Sequence, residues 1–260
     1  MFFWRERVKT EDIIWGEKKF ANEEEKIRAG ILFCPVAPEL KAIKLKTHNL
    51  NVDYNHTHED ESEKRAEILS EMLGALGEGS FIQGPVAFHY GKHTKIGKIF
   101  FGNFNLTIQD DAEVVIGDDC DFGPNVTIVT PLHPMRANER KSMRTADGQE
   151  KHLCYAKPVH IGNGCWLGAS VTVCPGVTIG DRCVIGAGSV VTRDIPSDSF
   201  AAGVPCRVIR KITEEESTVT PWKVLNMRLN LRMEVKSCAP HSGQAMPFSA
   251  MNCSICSLVM

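Results

Sequence analysis

The sequence predicts a mainly β fold, a coil of short parallel strands, and three observations carry that prediction. Ile161, Leu167, Val173, Ile179, Ile185 and Val191 fall on a strict beat of six, in the run IGNGCW-LGASVT-VCPGVT-IGDRCV-IGAGSV-VTRDIP. The beat recurs upstream at Ile116, Phe122 and Ile128. The fifth slot of these hexads holds small, mostly apolar side chains: Cys120, Val126, Cys165, Val171, Val177, Cys183 and Ser189. No helix has a period of six, and an isolated hairpin needs simple alternation. One buried aliphatic per six residues suits strands stacked about 4.8 Å apart, each side chain recurring at the same internal column.

Taken in order, residues 1–22 form an N-terminal extension without clear pattern, and 23–80 form a helical region. Glu23 to Leu32 predicts a short helix with its acids at the start, where the dipole favours them. Pro35 and Pro38 break it, and PELKAIKLKTHNL predicts a second helix. Ser62 to Leu76 predicts a third, because Leu69, Met72, Leu73 and Leu76 make an apolar stripe at helical spacing before Gly77 and Gly79. Strands begin near Phe81, and the coil occupies 81–212. Ile96 is an earlier member of the beat, out of phase with the rest.

Between Ile128 and Ile161 the beat lands on Pro134, Arg140, Ala146 and His152, which do not suit a buried corner. Residues 131–158 are therefore expected to be a charged excursion loop pushed out of the coil, and long loops inside compact domains are often functional. After Lys211 the beat is gone, and 213–260 predicts a poorly ordered tail. Cys238-x-x-His241 and Cys253-x-x-Cys256 have ligand spacing suited to zinc, but the intervening segment lacks helix or ribbon patterning, so no metal site is assigned.

Composition narrows the class. The chain has 260 residues and a net charge of −2, which gives no electrostatic case for nucleic acid. No apolar run has the length of a membrane span. The start MFFWRERVKT is not a signal peptide, so the ten cysteines predict reduced thiols in a cytoplasmic protein.

Several strings then become legible together: EEKIRAGILF, VDYNHTH at 52–58, FFGNFNLTI at 100–108, FGPNVTI at 122–128, LHP at 132–134 and GVPCRVIRKI at 203–212. In this order they closely resemble the galactoside and maltose O-acetyltransferases of the hexapeptide-repeat acyltransferase superfamily, over roughly residues 20–212. The resemblance implies a left-handed parallel β-helix and a homotrimer with each active site between two subunits. It also implies acetyl transfer from acetyl-CoA to a sugar hydroxyl, with no metal required.

A sugar hydroxyl needs a general base, and His suits that role near neutral pH. His133 stands at the mouth of the excursion, and Pro134 restricts its backbone. The family's catalytic His falls on this residue. Asn103 matches an acceptor-site residue of the family; its alternative is a place in an Asn ladder along the coil. Asp111 matches a second acceptor-side position. The CoA-side residues carry over to Ala169, Ala187, Thr192, Arg207 and Arg210, of which the first two offer backbone and room for the pantetheine arm. The two arginines suit the nucleotide phosphates, or alternatively an ordinary end-cap of the coil.

The acceptor side departs from the family. Where relatives carry a sugar-binding Asp after the first helix, this chain has Phe33-Cys34-Pro35-Val36-Ala37. A small residue becomes His89, a Tyr becomes Phe101, and the position before Tyr155 is Cys154. These changes leave the identity of the acceptor open. The rival readings are an acyltransferase acting on an amine, a gamma-class carbonic anhydrase-like protein, and a scaffold that has lost activity. The anhydrase needs three His on zinc, but no His sits at matching corners of neighbouring hexads.

Overall fold

The computed structural model describes residues 20–144 and 150–214. The chain divides into two units, 1–212 and 213–260. The coil lies in the first. The Cys and His residues of the tail motifs lie outside the described residues, as does most of the N-terminal extension.

The hexads wind into a parallel β-helix with three faces. Face A stacks Ala75–Leu76, Thr94–Ile96, Val114–Ile116, Val159–Ile161 and Thr178–Ile179. Face B stacks Phe81–Ile82, Phe101–Gly102, Asp121–Phe122, Trp166–Leu167, Val184–Ile185 and Ser199–Ala202, and is closed by the antiparallel strand Arg207–Lys211. Face C stacks Val86–Phe88, Leu106–Gln109, Thr127–Val129, Thr172–Val173 and Val190–Val191. Every beat residue points inward: Ile116, Phe122, Ile128, Ile161, Leu167, Val173, Ile179, Ile185 and Val191 are all buried.

Ile96 is in column after all. It pairs with Ile116 twenty residues on, whereas Ile161 and Ile179 pair eighteen apart. The two extra residues of the upstream turns sit at one place, the corner leading from face C back to face A. The charged excursion leaves from that same corner. The fifth-slot thiols face backbone: Cys120, Cys165 and Cys183 lie 3.1, 3.1 and 3.2 Å from the carbonyls of Gly162, Gly180 and Pro196. All seven described cysteines are free.

Two glycines are needed for close approach. Gly102 stands at a column position because a Cβ there would come within 2.9 Å of the Phe100 ring, which fills that space and meets Phe122 edge-on. A Cβ on Gly168 would lie 2.7 Å from the backbone nitrogen of Ala187.

The helices differ from expectation at their ends. The first, α1, spans Glu23–Arg28 and stops before Gly30, whose φ is +67°. The second, α2, spans Pro38–Asn55 and so runs through VDYN. It continues because its side chains serve the coil. Asn51 and Asn55 each exchange two hydrogen bonds with the backbone of Phe88 and Val86, and Thr47 donates to Tyr90 O. These residues, spaced by four, cover the otherwise open edge of the first strand of face C. The third, α3, spans Ser62–Met72, and Leu76 is not in it: strand pairing with Ile96 wins over helical spacing. Strands accordingly begin at Ala75, ahead of Phe81.

The excursion is not structureless. Pro131–Leu132 pairs antiparallel with Tyr155–Ala156, and Met143–Arg144 with Glu150–Lys151. Among the described residues no helix is long and apolar enough to cross a membrane.

Candidate active site

The sequence-predicted residues separate into two groups at opposite edges of face C. The first lies at the corner between faces B and C. Asn103 opens that corner, half-buried, with its backbone N–H donating to Phe122 O and its Oδ1 accepting from Phe104 N. The Asn ladder is one step along: Asn105 Nδ2 donates to Asn125 Oδ1, and both residues have left-handed backbone. Asn103 is outside that ladder. Phe101, two residues earlier, points outward from face B and stacks on Phe81 with centroids 6.1 Å apart. Ala169 and Ala187 occupy the same corner in later turns, where Gly188 N donates to Ala169 O.

The second group lies at the corner between faces C and A. His133 is exposed, just past Pro131–Leu132. The antiparallel register pairs Leu132 with Tyr155, so the next rung sets His133 opposite Cys154. Cys154 is buried and exchanges two backbone hydrogen bonds with Phe33, at 2.9 and 3.1 Å, which ties the returning limb to the segment after α1. Burial, with Asp111 next, pushes the Cys154 thiol up to about 12.

Asp111 is nearly fully buried here, and its Oδ2 has no hydrogen-bond partner. Burial and the neighbouring Asp110 raise its carboxyl to about 6, while Lys44 pulls the other way. The hydroxyl of Tyr90 is likewise buried without a partner. His89 is half-buried at the same corner, with its Nδ1 3.1 Å from Nε2 of His48 on α2. Burial, then Lys44 and His48, lower His89 to about 4, so it is neutral at pH 7.

The strand run from Val126 to Thr130 alone spans about 13 Å. Within one chain, Asn103 and His133 are therefore too far apart to share a substrate atom. The remaining CoA-side residues lie near the end of the coil. Thr192 is exposed after the last strand of face C. Arg207 pairs in register with Ala202, and the Arg210 guanidinium lies 5.2 Å from the centre of the Phe200 ring. This strand caps the coil and carries both arginines.

Sequence reasoning missed three neighbours of the site. His152 comes close to His133 only through the pairing of the excursion's limbs, for which the sequence held no signal. Lys44 and His48 were findable, because four-residue spacing puts them on one face of α2. Among the described residues no group of three or more His, Cys, Asp or Glu side chains is placed to hold a metal ion.

Two family models match. The bacterial transferase hexapeptide (six repeats) covers residues 158–193, and the maltose acetyltransferase hexapeptide capping motif covers residues 26–77. The galactoside O-acetyltransferase of Escherichia coli (strain K12) is 45% identical over 192 residues, which is 74% of this chain and 90% of that protein. That of Lactococcus lactis is 43% identical over 164 residues, 63% of this chain and 75% of that protein. A solved galactoside acetyltransferase in complex with coenzyme A superposes with a TM-score of 0.70 at 43% identity, covering 78% of this chain and 98% of its own. A maltose O-acetyltransferase from Clostridium difficile 630 gives 0.68 at 38% identity, covering 74% and 98%.

Proposed function

Since the chain belongs to the galactoside and maltose O-acetyltransferase family of hexapeptide-repeat proteins, we propose that it moves an acetyl group from acetyl-CoA to a sugar hydroxyl, with His133 as general base. It is an acetyl-CoA-dependent acetyltransferase. In the proposed ternary complex His133 takes the hydroxyl proton as the oxygen attacks the thioester carbonyl. The tetrahedral intermediate then expels CoA thiolate, which recovers a proton from His133. A positioned base contributes about 10²–10⁴-fold, and holding the two reactants together contributes as much or more.

The observation that carries this reading is the placement of two groups at opposite edges of face C. His133, Asp111, His89 and Cys154 gather at one edge; Asn103, Phe101, Ala169 and Ala187 gather at the other. A site that needs both groups is completed by a second copy, which fits a closed trimer with three identical interfaces. One edge supplies the base and the acceptor wall. The other supplies Asn103 and the corner along which a pantetheine arm would run, with Arg207 and Arg210 toward the nucleotide and Thr192 near the end of the coil.

The test is CoA release from acetyl-CoA against a panel of neutral sugars, sugar acids, sugar phosphates and amino sugars. Acetylation of sugar hydroxyls is the expected result. Turnover of amines alone would overturn it in favour of N-acylation.

A further inference from the structure

The proposed acceptor wall of this chain carries positive charge on α2. Lys41, Lys44 and His48 lie along one face of α2, spaced by three and four residues. The Lys44 ammonium sits 5.6 Å over the Tyr90 ring, half-buried, and its hydrogen bond goes to the carbonyl of Pro35 at 2.7 Å. The lysine thus meets a neutral backbone oxygen there. Among the described residues neither Lys44 nor Lys41 makes an ion pair.

The nearby acids are engaged or set behind. Glu23 pairs with Lys26 and accepts from Cys34 N, and Glu24 pairs with Arg28 and Lys92. Asp110 is buried and accepts from Tyr90 N and Thr94. Asp111 is the carboxylate facing Lys44, and it is nearly inaccessible. Next to the lysine, His48 and His89 form a nitrogen-to-nitrogen contact at 3.1 Å, with His89 edge-on to Tyr90 at 5.1 Å. A hydrogen-bonded pair of imidazoles leaves its outer ring nitrogens for a ligand. A half-buried cation that makes no salt bridge, beside such a pair, suits a bound anion.

We propose that the acceptor of this enzyme is an anionic sugar, whose carboxylate or phosphate is received between Lys44 and the His48–His89 pair. The inference rests on sugar O-acetylation as the parent reaction and names its substrate class. Lys44 supplies the charge. His48 holds the ring of His89 and lines the same wall, so both act on choice of acceptor and not on the proton transfer at His133.

The experiment compares matched acceptors at saturating acetyl-CoA: galactose with galacturonate, and glucose with glucose 6-phosphate. The anionic member of at least one pair is expected to show kcat/KM higher by about tenfold or more, the scale of one hydrogen bond to a charged group. Which pair shows it separates carboxylate from phosphate. Lys44→Gln is expected to collapse that ratio through a raised KM for the anion, with Lys44→Arg retaining it. His48→Gln is expected to narrow it. Equal or preferred turnover of the neutral members overturns the anionic acceptor while leaving O-acetylation standing, as does a preference that Lys44→Gln leaves intact. No turnover of any sugar overturns both.

Discussion

The rings of His133 and His152 meet edge to face, with centroids 5.4 Å apart and planes inclined at 66°. They come from the outgoing and returning limbs of the excursion, nineteen positions apart in sequence. The contact is possible because Pro131–Leu132 pairs with Tyr155–Ala156 and holds the two limbs together. The proposed base is thus exposed on one side and packed against a second imidazole on another.

His133→Ala is expected to lower kcat by at least about 10²-fold. CoA binding, measured by calorimetry, is expected to persist, because Ala169 and Ala187, proposed to line the pantetheine path, lie at the other edge of face C. Unchanged turnover would remove His133 from the chemistry.

His152 is expected to be a positioning residue. An aromatic pair of this geometry contributes about 0.5–1.5 kcal/mol, so His152→Ala should lower kcat by roughly 2–12-fold with KM for acetyl-CoA unchanged. His152→Phe restores the packing but not the ring nitrogens, and it should recover most of the rate. A Phe variant as slow as the Ala variant would show that His152 handles a proton instead.

The opposite-edge arrangement predicts complementation between two inactive proteins. His133→Ala and Asn103→Ala chains, unfolded together and refolded as an equal mixture, are expected to form mixed trimers in which one interface of three joins an intact His133 to an intact Asn103. With three-quarters of trimers mixed, about a quarter of wild-type activity should return. Recovery no greater than the sum of the two variants would place both residues in a single chain's site.

The hexads from Ile161 to Val191 were legible because a fixed period leaves one side chain per unit facing the column. The turns before Ile116 were harder to see. Their two extra residues at the corner between faces C and A break the beat while preserving the stack, so Leu76 fell into a helical stripe and Ile96 looked out of phase. Those same extra residues build the proposed acceptor wall: Tyr90 and Asp110–Asp111 sit where a plain eighteen-residue turn has no room for them. His133 and Asn103 could be singled out by residue type and motif. Their separation could not, because it depends on which corner each occupies, and that follows from register and not from spacing along the chain.

Asp111 gives a pH signature with a definite sign. Its carboxyl is raised to about 6 by burial and by Asp110, against 3.8 ordinarily. Between these values the folded chain holds more protons than the unfolded one, so stability falls as pH rises through that window and the loss is complete above about pH 6. A shift of this size corresponds to about 3 kcal/mol at neutral pH. Asp111→Asn removes the buried charge while keeping the side chain's shape. The variant should melt several degrees above wild type at pH 7, and the difference should shrink toward zero at pH 4, where the wild-type carboxyl is already protonated. Melting curves of both proteins at the two pH values decide it: a variant less stable at pH 7, or an advantage that is the same at pH 4, would mean that Asp111 is held by contacts that offset its burial.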